Sequence, residues 1–248
     1  MREYYHSVSM DPLALAEGEY QQEAPLPSKF ILPIQLGLFM ALLCLSTPAT
    51  AAYLSPLRQS AAQLYDQQSY AQAVQTQVQL AQDYLLRRLN HAAVNQQFAL
   101  VLDIDETALS NLNHLQRHHF STNMEAFAGA YMLGDAPAIS AILALSHYAQ
   151  RQGVALFFIS NRPNTLEVMA ATVKNLHQAG YQNWQEIYLR PLTNDQLSTA
   201  NYKKAMREKI TNQGYEIILN IGDQKSDLEG GFAEVAIKLP NPFYQRLD

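Results

Sequence analysis

The sequence predicts an α/β fold, a three-layer sandwich around a mainly parallel sheet, with a small cap inserted after the first strand and helices preceding it. Three observations carry this. From Phe98 onward the chain shows short continuous apolar runs: FALVLDID, VALFFIS from Val154, IYLR from Ile187, EIILNIGD from Glu216 and VAIKL from Val235. Runs of that length fit strands buried on both faces. Helical stretches separate them, which implies right-handed crossovers and parallel strands. Acidic and polar residues gather where the runs end, and in such sheets a ligand site lies beyond the carboxyl ends of the strands.

The chain has 248 residues, 48% of them hydrophobic and 16% charged, which is enough for one sizeable core. Its formal net charge of -5 offers no basic field that could neutralise a phosphate backbone, so a nucleic-acid polymer is not an expected partner. Cys44 is the single cysteine. No intramolecular disulfide can form, and cysteine usage favours neither redox compartment.

The first element is a leader over residues 1–51, with an apolar core at about 30–45 whose densest part, LGLFMALLCL, starts at Leu36. The run is shorter than the roughly 20 residues a spanning helix needs. It is followed by STPATAA, a small-residue stretch suited to signal peptidase, and the expected cut falls after Ala51. Leu43 stands directly before Cys44, where lipoprotein processing wants a small residue. The expectation is an exported protein, periplasmic or secreted, with no stable membrane anchor after cleavage. Residues 1–28 are mostly acidic where a signal's leader should be basic, which puts the expected natural start nearer Lys29.

A catalytic domain is expected over 52–248. It opens with a helix in which Ala71, Val74, Val78, Ala81 and Leu85 form an apolar stripe at helical spacing. Next comes the first strand, which ends in Asp103, Ile104, Asp105, Glu106 and Thr107. Carboxylates at the edge of a buried sheet repel unless a cation compensates them, and a hard divalent ion does so directly. An Asp-rich turn capping the next helix is the plainer reading of this segment alone. From Leu112 to Gly153 the chain is longer than a crossover helix requires, so a small cap is expected within about 112–150. His114, His118 and His119 lie there, read as surface or substrate-contact residues because no further ligand spacing supports zinc. Phe120, Phe127 and Tyr131 pack the cap or stack on a substrate ring.

The second strand ends in Ser160, Asn161 and Arg162. The helix after the third strand carries Lys203, Lys204 and Arg207. The fourth strand ends in Gly222, Asp223, Gln224, Lys225, Ser226 and Asp227. Each group has a commonplace reading, as a turn or as a solvated helix face. In a parallel sheet, however, all of these strand ends project to one edge, where the carboxylates can share a magnesium ion. Gly222 is expected to let the backbone turn tightly before Asp223, with Asp227 one layer further out. Tyr181 and Trp184 are read as packing residues, and KLPNPFY as closing the sheet edge and shaping the rim of the site.

Taken in order, the aspartate pair, the strand-end serine, the helical lysine and Gly-Asp with a later Asp resemble the four motifs of the haloacid dehalogenase superfamily. VLDIDETALSN, FFISNRPN, NYKKAMR, NIGDQKSDLEGG and IKLPNPFY are similar to its acid phosphatase branch, subfamily IIIB, which includes bacterial secreted acid phosphatases and plant vegetative storage proteins. The resemblance runs from about Tyr53 to the end and implies a Rossmann-like sheet. Lys225 stands where relatives often carry Trp, and Asn161 where many carry Gly.

What the resemblance implies is a magnesium-dependent phosphomonoester hydrolase acting through an aspartyl phosphate. Asp103 is the nucleophile and Asp105 the acid and base. Mg2+ is held by the Asp103 carboxylate, the Asp105 backbone carbonyl and Asp223. Ser160, Asn161 and Lys203 bind the phosphate, with Lys204 as the alternative lysine. Thr107 and Asp227 support them, Thr107 by orienting Asp105 or capping its loop. The expected partner is a small-molecule phosphomonoester, and a homo-oligomer is compatible with the sequence. The alternatives are a nucleotidase or phosphotransferase on the same site, or a weakly active binding or storage protein; the intact Asp103 argues against the last.

Overall fold

A computed structural model describes residues 67–120, 124–192 and 197–245. The leader, its apolar core, Cys44, the cut after Ala51, any helix before residue 67 and the Phe127 side chain lie outside the described residues. No described helix is long and apolar enough to cross a membrane.

The domain opens with α1 (Gln67–Asn90), followed by β1 (Gln97–Leu102), α2 (Leu112–Arg117), α3 (Met124–Leu133), α4 (Ser140–Arg151) and β2 (Ala155–Pro163). Then come α5 (Leu166–Gln178), β3 (Glu186–Arg190), α6 (Thr199–Asn212), β4 (Tyr215–Gly222), a 3-10 turn (Lys225–Asp227) and β5 (Val235–Lys238). The five strands form one sheet in the order β3-β2-β1-β4-β5, and every neighbouring pair is parallel.

Alternation along the strands builds the three layers. Leu100, Leu102, Leu156 and Phe158 face one side with Val74, Val78, Ala81 and Leu85 of α1, Ile142 and Leu145 of α4, and Val168 and Leu176 of α5. Ala99, Val101, Phe157 and Ile159 face the other side, against Tyr202 and Ile210 of α6. The stripe read from the sequence as Ala71 to Leu85 is the buried face of α1, except that Ala71 itself is exposed. Because both sheet faces are covered, the central strands carry no polar alternation, which is why they read as unbroken apolar runs.

The segment between β1 and β2 divides by role. α4 packs against α1 and β2, as a crossover helix does, while α3 packs against α5. Tyr181 is fully buried, and its hydroxyl donates to the Ala108 carbonyl at 3.0 Å. Trp184 lies edge-on to Phe158 with centroids 5.9 Å apart. Both are packing residues.

Candidate active site

Parallel pairing carries the carboxyl ends of β1, β2 and β4 to one edge, and the site is assembled there. Asp103 follows β1 directly, and its amide donates to the Ile221 carbonyl of β4 at 3.0 Å. The chain then turns: the Ile104 carbonyl accepts from Ala108 at 3.0 Å and Leu109 at 2.8 Å. Glu106 sits in the left-handed region with φ 54, a conformation a non-glycine residue takes only when its surroundings hold it. The surroundings here are specific: the Asn111 amide donates to Glu106 Oε1 at 2.7 Å, and the Tyr244 hydroxyl donates to Oε2.

Lys203, in the first two turns of α6, reaches under the sheet edge. Its Nζ donates to Asp103 Oδ1 and to Asp227 Oδ1, each at 2.5 Å. The side chain is buried. Burial works against the ammonium, but the Asp103 and Asp227 carboxylates outweigh it and raise the lysine above its ordinary range. Lys204, by contrast, is exposed, and its stem packs over Gly230. Lys203 is therefore the lysine that shares the cavity with Asp103, Asp105, Ser160, Asn161 and Asp223.

Asp105 is turned to a different partner. Arg162 grips both its oxygens, Nη2 to Oδ1 at 2.7 Å and Nε to Oδ2 at 3.0 Å, and Asn111 Nδ2 donates to Oδ1 at 2.8 Å. The buried guanidinium is itself steadied by Thr172 at 3.0 Å. Thr107, expected to orient Asp105 or cap its loop, instead donates to Asp223 Oδ1 at 3.0 Å. Ser160 is buried in the cavity wall and its Oγ accepts the Arg162 amide at 3.2 Å. Asn161 Oδ1 accepts from Arg190 Nη1 at 2.9 Å.

After β4 the expectation for Gly222 is corrected. Its φ is not in the left-handed region; what it supplies is clearance. A Cβ there would lie 2.3 Å from Asp227 Cβ and 2.5 Å from Asp227 Oδ2. Asp227 is correspondingly closer to the chemistry than an outer support. Its carboxylate takes Lys203 on one oxygen and the Gln224 amide on the other at 2.7 Å. Its backbone carbonyl accepts from Asn220 at 3.0 Å and Arg207 at 2.7 Å. Arg207, fully buried, also donates to the Gly231 carbonyl at 2.8 Å and to that of Glu229, fastening the loop after β4. Lys225, in the position that departs from the family wording, is exposed and pairs with Glu229 at 3.0 Å.

Among the described residues, Asp103, Asp223 and Asp227 form a group whose carboxylate oxygens lie within 4.8 Å of one another, all three buried. Burial, resisted by Lys203 and reinforced by Asp227, Asp223 and Asp105, pushes Asp103 well above the usual carboxylate range. Burial together with Asp227 and Glu106 pushes Asp223 up to about 6. Burial and Asp105 push Glu106 up to about 7. Three buried carboxylates against one ammonium are short of positive charge, and an all-oxygen donor set suits a hard divalent cation. The Asp105 side chain is spent on Arg162 and Asn111, so any part it takes in holding a cation falls to its backbone carbonyl. The histidines stand apart: His114 is buried and its ring stacks on His118 at 4.2 Å.

Several residues of the site carried no assignment from sequence: Arg162 as partner of Asp105, Glu106, Asn111 and Gln224; Asn241 and Tyr244 were read only as part of KLPNPFY at the rim, without the partners they have here. Arg162 and Glu106 adjoin assigned residues, and their burial was the missing signal. Tyr131 of α3 lines the cavity, with Arg162 5.6 Å from its ring centroid. Phe120 instead packs on Phe243, centroids 6.1 Å apart.

Comparison with known proteins gives consistent matches. The family model described as HAD superfamily, subfamily IIIB (acid phosphatase) matches residues 48–247. A stem 28 kDa glycoprotein of Glycine max is 37% identical over 150 residues, 58% of each chain. Acid phosphatase 1 of Solanum lycopersicum is 32% identical over 150 residues, 58% of this chain and 57% of that protein. Vegetative storage protein 1 of Arabidopsis thaliana is 32% identical over 149 residues, covering 58% and 54%. The match thus spans little more than half the length of these relatives. Among solved structures, a class C acid phosphatase from Bacillus anthracis superposes with TM-score 0.65 at 23% identity, covering 77% of this chain and 86% of that one. At that identity the likeness establishes the fold.

Proposed function

This chain belongs to the acid phosphatase family of the HAD superfamily, subfamily IIIB, and from that membership we propose that it hydrolyses small-molecule phosphomonoesters with Mg2+ through an aspartyl phosphate on Asp103. The observation that carries the reading is the placement of Asp103 at the end of β1, 2.5 Å from a buried Lys203 and beside two further carboxylates. An anionic nucleophile meets an anionic substrate here, so the site must supply compensating charge.

The residues divide the work. Lys203, with Ser160 and Asn161 in the cavity wall, binds and orients the phosphoryl oxygens. An Asp103 oxygen attacks phosphorus as the ester P–O bond breaks, and the departing alcohol oxygen takes a proton from Asp105. Asp105 then accepts a proton from the water that cleaves the acyl phosphate, which releases phosphate and restores Asp103. Both Asp105 oxygens are engaged by Arg162, so each proton transfer requires one of those bonds to loosen. Asp103, Asp223 and the Asp105 carbonyl would hold Mg2+, which neutralises phosphate charge and keeps Asp103 ionised.

The test is phosphate release from p-nitrophenyl phosphate by the purified protein with Mg2+ or EDTA, beside Asp103→Asn. Hydrolysis that needs the metal and falls by roughly a thousandfold or more in the variant is the expected result. Folded wild type as inactive as Asp103→Asn, on this ester and on nucleoside monophosphates, would favour a storage or binding role instead.

The leader carries a second proposal, export to the periplasm or beyond, supported by the apolar run at 30–45 and the small residues up to Ala51. Sequencing the amino terminus of the protein from its host should find Ala52 first; a mature chain still starting at Met1 rejects it.

A further inference from the structure

The chain leaves the sheet at its edge strand and comes back to the site. The Leu239 amide donates to the Gly222 carbonyl at 2.8 Å, tying the end of β5 to the residue before Asp223. Pro240 and Pro242 then bracket Asn241, which restricts the backbone on both sides of it. The Asn241 Oδ1 accepts the amides of Phe243 at 2.9 Å and Tyr244 at 3.2 Å, a side-chain-to-backbone turn of the kind asparagine makes. With the oxygen so occupied, the amide orientation is fixed by its network. The Nδ2 group is therefore the end that meets Asp223, donating to Oδ2 at 2.7 Å. The turn is anchored in turn by Phe243, which packs on Phe120 and on Tyr70 of α1.

Asp223 receives three side-chain donors: Thr107 on Oδ1 at 3.0 Å, and Gln224 at 2.5 Å and Asn241 on Oδ2. Gln224 is its neighbour in the chain and has an extra rotatable bond. Asn241 comes from 18 residues away and is held at both ends of its amide.

We infer that Asn241 is a positioning residue that fixes the rotation of the Asp223 carboxylate and thereby sets the affinity of the aspartate cluster for a divalent cation. The inference rests on the reading of that cluster as the Mg2+ site. Asn241 touches neither phosphate nor nucleophile; it acts through Asp223, as donors behind a metal-binding carboxylate do.

Asn241→Ala removes both the turn and the donor. Asn241→Ser keeps a hydroxyl able to accept the backbone amides but is too short to reach Asp223, so it separates the two roles. Mg2+ binding to the folded full chain, measured by calorimetric titration, is expected to weaken roughly tenfold to hundredfold in Asn241→Ser. Its kcat on p-nitrophenyl phosphate should fall at limiting Mg2+ and return toward the wild-type value at saturating Mg2+. An affinity within twofold of wild type, or a loss of kcat that excess Mg2+ does not restore, overturns the assignment. If wild type binds Mg2+ and hydrolyses the ester while Asn241→Ser matches it, only the role of Asn241 fails. Wild type that does neither overturns the phosphatase reading along with it.

Discussion

Arg162 shows how a single residue can decide the working state of this site. Its guanidinium is buried at the end of β2, and two of its nitrogens meet the two oxygens of Asp105 while the third holds Thr172. Burial opposes the guanidinium charge, and Asp105 more than compensates, so Arg162 is held above its ordinary range. Such a fork cannot be reproduced by lysine, which offers a point charge on a flexible stem. Arg162→Lys is therefore expected to stay folded, because a cation still faces Asp105, yet to lose the fixed orientation of the proton-carrying carboxylate. Charge-assisted bonds of this kind contribute about 1.5–3 kcal/mol, so kcat on p-nitrophenyl phosphate should drop by roughly tenfold to a hundredfold. KM should move much less, since Lys203 and Ser160 remain. Steady-state kinetics at saturating Mg2+ measure both. A loss confined to KM would reassign Arg162 to substrate binding, with Asp105 positioned by Asn111 alone.

Among the elements, β4 and the 3-10 turn after it make the tightest fit of the site. Gly222 ends the strand and Asp227 folds back over it, so that even one methyl group at 222 would overlap Asp227. Overpacking of this kind costs about 1–3 kcal/mol where neighbours can yield. Here they yield poorly: Asp227 is held by Lys203, the Gln224 amide, Asn220 and Arg207. Gly222→Ala is expected to lower Tm by several degrees and to depress activity beyond that, by displacing Asp227 from Lys203. Thermal scans and kcat on one preparation test it, and an unchanged Tm with unchanged kcat would mean that the turn has slack. The elements themselves were legible in the sequence because each buried strand is an uninterrupted apolar run and α1 has a clear stripe. Asp103, Asp105 and Asp223 stood out because polar residues at the ends of such runs are costly without a task, whereas Lys203, on a helix, was singled out only by the resemblance to the family motifs. The partners of these residues were not legible. Nothing local marks Thr107 as a donor to Asp223, or Asn241 and Tyr244 as neighbours of residues more than a strand away, because those contacts exist only once β1, β4 and β5 lie side by side. Gly222 shows the same limit: the residue was noticed for a turn, whereas its use depends on where Asp227 returns.

At the scale of the whole molecule, the fold concentrates negative charge where the sheet is most buried. Asp103, Asp105, Glu106, Asp223 and Asp227 converge on Lys203 and Arg162; burial with mutual repulsion pushes Asp103 well above the usual carboxylate range, and pushes Asp223 up to about 6 and Glu106 up to about 7. The ordinary values are 3.8 for Asp223 and 4.5 for Glu106, so between these limits the native state binds more protons than the unfolded chain. Stability then falls with rising pH. The contribution of these groups is fully present below the ordinary values and is lost as pH rises through about 6 and about 7. A divalent cation acts in the opposite sense. It binds the ionised cluster, stabilises the native state by mass action, and does so more strongly as the competing protons leave. In EDTA the Tm of the protein should therefore decline from about pH 4.5 to about pH 8, and the rise in Tm on adding saturating Mg2+ should be small at the acidic end and several degrees at the alkaline end. Asp103→Asn removes one of the repelling charges and should flatten the decline in EDTA. Scanning fluorimetry across this range, with and without Mg2+, measures all three. A Tm in EDTA that climbs with pH, or a Mg2+ effect of equal size at every pH, would mean that the carboxylates are already compensated by Lys203 and Arg162 and that the fold does not depend on a cation to hold them together.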